Sequence, residues 1–312
     1  MASPRIVFMG TAELAATVLS AVAARPAGPL VAVVSQPDRP TGRDLVMQST
    51  PVKMEAERLG LVVLQPEKAR DPAFVEELRQ LQPDLILVAA YGQILPRILL
   101  ELPRWGCLNV HTSLLPQYRG AAPIQWALAN AETETGVTIM RMDIGLDTGP
   151  ILAARTTEIR DDDTGQTLHD RLARIGAELL VETIPGYLAG TIVPQAQENA
   201  LATVARKITK EDGRMDWTQP AEVLWRRLRA FTPWPGAFAF LPAEPKPRMI
   251  KVLSAEPVNG TGMPGEVLQA DKGGIVVSCG VGALRITALQ PEGGRRLTAG
   301  EFLAGHLVTQ FR

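Results

Sequence analysis

LILVAAYGQILPRILLELPRWGCLNVHTSLLP, residues 85–116, is the stretch on which the fold turns. It opens on an apolar run at 85–89, passes through a helical pattern at 94–100, and reaches a second apolar run at 108–111. Short, almost purely apolar runs read as buried strands, and a helix between two of them makes a parallel crossover. The same alternation extends outward. Strand-like runs appear at 6–9, 30–34 and 61–64, separated by helical patterns at 12–23, 52–59 and 72–81. Two further strands, 136–142 and 151–157, lead into a long amphipathic helix over 166–188, preceded by three aspartates at 161–163 that suit its positive end. This order predicts an α/β fold with a doubly wound, mostly parallel sheet.

After that helix the pattern changes. Polar and small residues around 194–203 mark a boundary, and 220–230 reads as a helix. Beyond Pro233 come short β-like runs at 237–241, 249–255, 265–269, 275–278 and 284–289, punctuated by Gly and Pro, a spacing that suggests a small barrel. The expected division is therefore a first domain over 1–192, a linker over 193–206 and a second domain over 207–312. A chain of 312 residues is long enough for two cores.

Composition excludes several classes. With 46% hydrophobic and 21% charged residues the chain is an ordinary globular one. No apolar run nears the roughly 20 residues of a membrane helix, and residues 6–9 are too short for a signal peptide. The two cysteines lack CxxC spacing and the three histidines are far apart, so neither a disulfide framework nor a metal centre is expected, and the cytoplasm is the expected compartment. Gly10-Thr11 after the first strand lacks both the GxGxxG spacing and a Walker lysine, so neither NAD nor ATP is expected. The formal charge is −1 overall, made of −5 up to Arg206 and +4 from Lys207 onward. A mildly basic second part suits a phosphate-backbone partner, and equally a plain solvated face.

Within CLNVH, Asn109 and His111 are two apart, so a strand sends both side chains to one face. The strand then stops at Ser113-Leu114-Leu115-Pro116, near its carboxyl end, where open α/β sheets place ligands. An amide NH2 and an imidazolium N–H can together stabilise the oxyanion of a tetrahedral intermediate. Asp147 in GLDTG is the best candidate for a carboxylate that fixes the histidine tautomer and stabilises its charged form. No Ser or Cys stands in a nucleophile-elbow context, which favours direct transfer of an acyl or formyl group.

Taken in order, Asn109-Val-His111, Ser113–Pro116, Tyr118-Arg119-Gly120-Ala121-Ala122-Pro123-Ile124 and Asp147-Thr148-Gly149 resemble the folate-dependent formyltransferases, and more narrowly their methionyl-tRNA formyltransferase branch. The likeness runs from FMGT at 8–11, through QPDRP at 36–40 and AAYGQILP at 89–96, to ARKITKEDG at 205–213 and RAFTPWPG at 229–236. It implies a Rossmann-like catalytic core followed by an OB-like, tRNA-binding barrel. It implies transfer of formyl from 10-formyltetrahydrofolate, as co-substrate, to the amine of initiator methionyl-tRNA, with Asn109, His111 and Asp147 catalytic. Ser113, Leu114, Leu115 and Pro116, with Met142, Asp143, Ile144 and Gly145, would line the folate pocket. The long connection 36–51, carrying Arg39 and Arg43, would reach the tRNA acceptor arm, and Lys207 and Lys210 would also touch tRNA. This chain has Asp44-Leu45-Val46 where relatives often carry lysines, so fewer released counterions are expected. A monomer is expected. A glycinamide ribonucleotide formyltransferase, a 10-formyltetrahydrofolate hydrolase and a non-catalytic RNA-binding protein are the rival readings.

Overall fold

The computed structural model describes residues 3–41, 46–243 and 245–312. By contacts the chain divides into two units. One comprises 1–123, 134–158 and 169–205, and the other 124–133, 159–168 and 206–312.

In chain order the first unit holds β1 (Ile6–Gly10), α1 (Glu13–Ala24), β2 (Leu30–Val34), β3 (Arg39–Thr41), β4 (Val46–Gln48), α2 (Pro51–Arg58), β5 (Val63–Leu64), α3 (Pro72–Gln80), β6 (Leu85–Ala89), α4 (Arg97–Leu100), β7 (Cys107–His111) and β8 (Arg119–Gly120). After α5 (Pro123–Ala129), which counts mainly with the second unit, come β9 (Glu134–Arg141), β10 (Ile151–Glu158), α6 (Gly165–Leu188) and β11 (Val204–Ala205). Seven strands form one sheet in the order β10-β9-β7-β6-β1-β2-β5. Pairs from β7 to β5 are parallel, while β9 runs antiparallel to both its neighbours.

Every residue of β1 and β6 is buried, as central parallel strands covered on both faces must be. A side chain at Gly10 would fall 2.6 Å from the Ala15 Cβ, so the β1–α1 turn admits only glycine. The chain leaves β1 toward β2 and β5, then returns to β6 on the other side of β1. The strand order therefore reverses between β1 and β6, the place where such sheets open a ligand crevice at their carboxyl ends. The carboxyl ends are tied at one atom, the Tyr91 carbonyl, which accepts from the Thr11 hydroxyl and the Gln36 amide, each at 2.8 Å.

Local chemistry sets where the helices start. The helix expected at 94–100 begins only at Arg97, because Pro96 holds the extended backbone of its N-cap. At α6, Thr164 caps the first turn, its hydroxyl accepting the Thr167 N–H at 3.2 Å. Asp163, just before it, is buried and accepts from the Thr167 hydroxyl and the Arg160 N–H.

The second unit continues with α7 (Ala221–Ala230), β12 (Ala237–Leu241), β13 (Arg248–Val258), β14 (Val267–Asp271), β15 (Gly274–Ser278), β16 (Ala283–Pro291), β17 (Leu297–Thr298) and α8 (Ala299–Leu303). Its sheet is antiparallel, ordered β12-β13-β16-β15-β14. The last residues close it: Val267 donates to Thr309 at 3.0 Å on one edge, and Phe240 and Arg312 exchange both backbone bonds at 2.8 and 2.7 Å on the other. The bulky core inside includes Trp217, Leu224, Ile250, Phe302 and Phe311. This is a small closed barrel, with neither edge left to template aggregation.

Candidate active site

β7 delivers Asn109 and His111 in unbroken register with β6 and β9, so the two residues share a face. Asn109 is half-buried, and among the described residues its amide has no hydrogen-bond partner. His111 is 6% exposed. Its Nε2 lies 2.9 Å from the Tyr118 carbonyl. A carbonyl only accepts, so Nε2 carries the proton and Nδ1 is the bare nitrogen of the neutral ring. Asp147 Oδ2 stands 3.7 Å from that Nδ1 and accepts the Gly120 N–H at 2.8 Å. The sequence reading gave tautomer selection to the carboxylate. Here the Tyr118 carbonyl selects the tautomer, and Asp147 faces the Nδ1 edge of the ring.

The SLLP turn is fixed by a residue the sequence did not flag. Thr138, fully buried on β9 opposite His111, donates its hydroxyl to the Ser113 carbonyl at 2.7 Å and accepts the Leu115 N–H at 3.1 Å. The Ser113 hydroxyl donates to the Gln117 carbonyl at 2.6 Å, so it is engaged in the turn. Cys107 lies in the core with its thiol pushed up to about 12 by burial, far from a thiolate. Neither residue is placed to act as a covalent nucleophile.

Residues 142–149 form a compact turn. Asp143 accepts the Gly145 N–H at 3.0 Å and the Thr148 hydroxyl at 2.6 Å, and the Met142 N–H returns to the Cys107 carbonyl at 2.8 Å. Ile144 and Leu146 face solvent, apolar surface open to a ligand. Asp147 itself has φ of 52°, a left-handed conformation that few non-glycine residues adopt.

The 36–51 excursion holds the short hairpin β3–β4. Its base is anchored by Asp38, which accepts from Lys53 at 2.6 Å, Gln65 at 2.8 Å and Ser49 at 3.3 Å. The Ser35 and Thr50 hydroxyls also meet at 2.6 Å, and Thr50 caps α2. Arg39 is exposed, 3.4 Å from Glu67. Arg43, with Asp44, lies outside the described residues. Lys207 and Lys210 are exposed residues of the second unit, flanking Thr209, whose capping box with Asp212 opens a short 3₁₀ turn.

A doubly wound sheet that brings an amide and an imidazole to the carboxyl end of one strand is an arrangement suited to group transfer through an anionic intermediate. The Formyl transferase family matches residues 4–184, and the Formyl transferase C-terminal domain matches residues 207–307. The chain is 52% identical over 306 residues to the methionyl-tRNA formyltransferase of Myxococcus xanthus, covering 98% of this chain and 96% of that one. It is 50% identical over 306 residues to the methionyl-tRNA formyltransferase of Citrifermentans bemidjiense, covering 98% and 95%. The crystal structure of the N-formyltransferase from Helicobacter canadensis in complex with folinic acid and dTDP-3-aminofucose superposes with a TM-score of 0.66 at 17% identity, covering 95% of this chain and 100% of that one. At that identity the likeness is one of fold. This chain belongs to the formyl transferase family.

Proposed function

We propose that the chain transfers the formyl group of 10-formyltetrahydrofolate to the α-amino group of initiator methionyl-tRNA, and so supports translation initiation. The observation that carries this reading is 52% identity, along nearly the full length of both chains, to a methionyl-tRNA formyltransferase, joined to an oxyanion-type donor pair on β7. Residues 113–116 and 142–145 form the folate wall. Arg39, Arg43, Lys207 and Lys210 supply positive charge to the tRNA backbone. The protein acts as a monomer in the cytoplasm; its two buried free thiols, Cys107 and Cys279, suit a reducing compartment.

The α-amino group has a reference pKa of about 7.7–8.0, so much of it is neutral near physiological pH and able to attack. Attack on the formyl carbon moves the carbonyl electrons onto oxygen, where the Asn109 amide and the Nδ1–H of protonated His111 donate to the anion. Asp147, facing that same Nδ1, stabilises the imidazolium. Collapse of the intermediate re-forms the carbonyl and breaks the carbon–N10 bond; the amine gives up a proton and N10 takes one. No covalent intermediate with the enzyme forms.

The test is transfer of labelled formyl from 10-formyltetrahydrofolate to charged initiator tRNA, with charged elongator tRNA and no tRNA as controls. Formylmethionyl-tRNA formed preferentially on the initiator supports the reading. Label released to water at the same rate without tRNA overturns it in favour of a hydrolase. Asn109→Ala is expected to lose about 10²–10³ in kcat with little change in KM, and full activity would remove Asn109 from the mechanism.

A further inference from the structure

We propose that Gln197 is a positioning residue for the transfer reaction: it holds Asp147 in its left-handed backbone conformation, with Arg119 fixing the orientation of the Gln197 amide. This rests on the reading just given, in which Asp147 stabilises the charged histidine.

Gln197 lies on the return segment that follows α6, 50 residues beyond Asp147 in sequence. Its Nε2 donates to the Asp147 carbonyl at 2.8 Å and to the Gly149 carbonyl at 2.7 Å. Its Oε1 accepts from Arg119 Nε at 3.0 Å and from Nη2 at 2.7 Å. The same Nη2 donates to Asn199 Oδ1 at 2.8 Å. Amide flips are ordinarily ambiguous, but a guanidinium only donates and a carbonyl only accepts. Oε1 therefore faces Arg119 and the NH2 faces the two carbonyls. Arg119 is 8% exposed and adjoins Gly120, whose N–H binds the Asp147 carboxylate. The left-handed region is costly for a non-glycine residue and persists only where its surroundings hold it. Two ties hold Asp147 itself, the Gly120 N–H on its carboxylate and the Gln197 amide on its carbonyl, and the same amide fixes the turn two residues on at the Gly149 carbonyl.

The same segment braces the histidine. Thr203 accepts the Tyr118 N–H on its hydroxyl at 2.8 Å and the Arg119 N–H on its carbonyl at 2.9 Å. Tyr118 is the residue whose carbonyl selects the His111 tautomer. Chain that reads as a connector by composition thus secures both partners of the 3.7 Å His111–Asp147 pair.

Two variants separate a positioning role from a plain structural one. Gln197→Leu removes both halves of the bridge. Gln197→Glu keeps an acceptor for Arg119 but replaces the two N–H donors by a carboxylate oxygen facing two carbonyls. Misplacing a catalytic group by about 1 Å costs on the order of 10²-fold, so kcat is expected to fall about tenfold to a hundredfold in both. KM for either substrate should move less than about threefold, and the pH profile of kcat should shift. Asp147→Asn combined with Gln197→Leu should be no slower than Asp147→Asn alone, since both act at one point. If Gln197→Leu fails to fold, Gln197→Glu carries the same readings. Variants with wild-type kcat and pH profile, or losses that multiply in the double variant, overturn the proposal. A wild-type protein that leaves charged tRNA unformylated overturns the functional reading instead, so the two failures are distinct.

Discussion

Asp147 and Asp212 are both screened from water and both face a cationic or ionisable partner, yet they are built to opposite ends. Asp212, in the second unit, receives both terminal nitrogens of Arg206, one at 2.9 Å, with the N–H and the hydroxyl of Thr209 each at 2.8 Å. Its acceptor capacity is filled, and the Arg206 hydrogen bonds hold its carboxyl below the usual carboxylate range. Asp147, in the first unit, has one firm bond from Gly120 and a 3.7 Å approach to His111, too long for a hydrogen bond. A carboxylate that only holds structure is saturated. Asp147 keeps acceptor capacity in reserve, held by the Gly120 N–H on its carboxylate and the Gln197 amide on its carbonyl.

The sharpest way to break this contrast is Asp147→Asn. Loss of the facing charge should lower kcat by roughly 10²–10⁴, as removal of an acid–base partner does, while the thermal midpoint barely moves. Single-turnover formylation and a melting curve read the two quantities, and unchanged kcat would end the distinction. Asp212→Ala should do the reverse. It strips the Thr209 N–H and the Arg206 fork of their acceptor, costing about 1–3 kcal/mol at most, softened because Arg206 is partly exposed and lies 4.6 Å over the Trp126 ring. Calorimetry checks the loss, with kcat per folded molecule expected to stay at wild type.

The pH dependence sharpens the same point. A carboxylate depressed on folding adds stability that is complete above its unfolded value of about 3.9 and is lost as pH falls through the lower folded value. The thermal midpoint of the wild type minus that of Asp212→Asn should therefore be constant from neutral pH to about 5, then shrink below about 4. A gap that stays constant down to pH 3 would remove the Arg206 pair as its cause. Asp38 lies between the extremes, with three polar partners and partial exposure. Asp38→Ala should loosen the base of the 36–51 excursion and raise KM for tRNA by less than about fivefold with kcat intact, the smallest of these effects. An unchanged KM in steady-state formylation would make that anchor incidental.

Most of the architecture could be read from residues alone. Central strands announced themselves as pure apolar runs, as in β1 and β6, because strands covered on both faces carry no polar phase. Asn109 and His111 were visible because a period of two is local information. What escaped detection depends on distant pairing. β8 and β11 have two residues each, too few for any periodicity, and they meet across some 85 residues. Thr138 sits in an apolar strand, where a threonine is unremarkable until Ser113 and Leu115 are seen against it. Gln197 falls in a polar stretch whose composition resembles that of any connector. The partner of His111 Nε2 is a backbone carbonyl, and no side-chain identity encodes it.

The hydroxyl clasp between Ser35 and Thr50 brings the two ends of the 36–51 excursion together. Because the excursion departs and returns at neighbouring points, its ends are already pinned, and doubling the length of the chain between them adds only about 0.6 kcal/mol of closure entropy. Descent with modification can therefore rewrite that appendage in length or charge while leaving β7 and its register untouched.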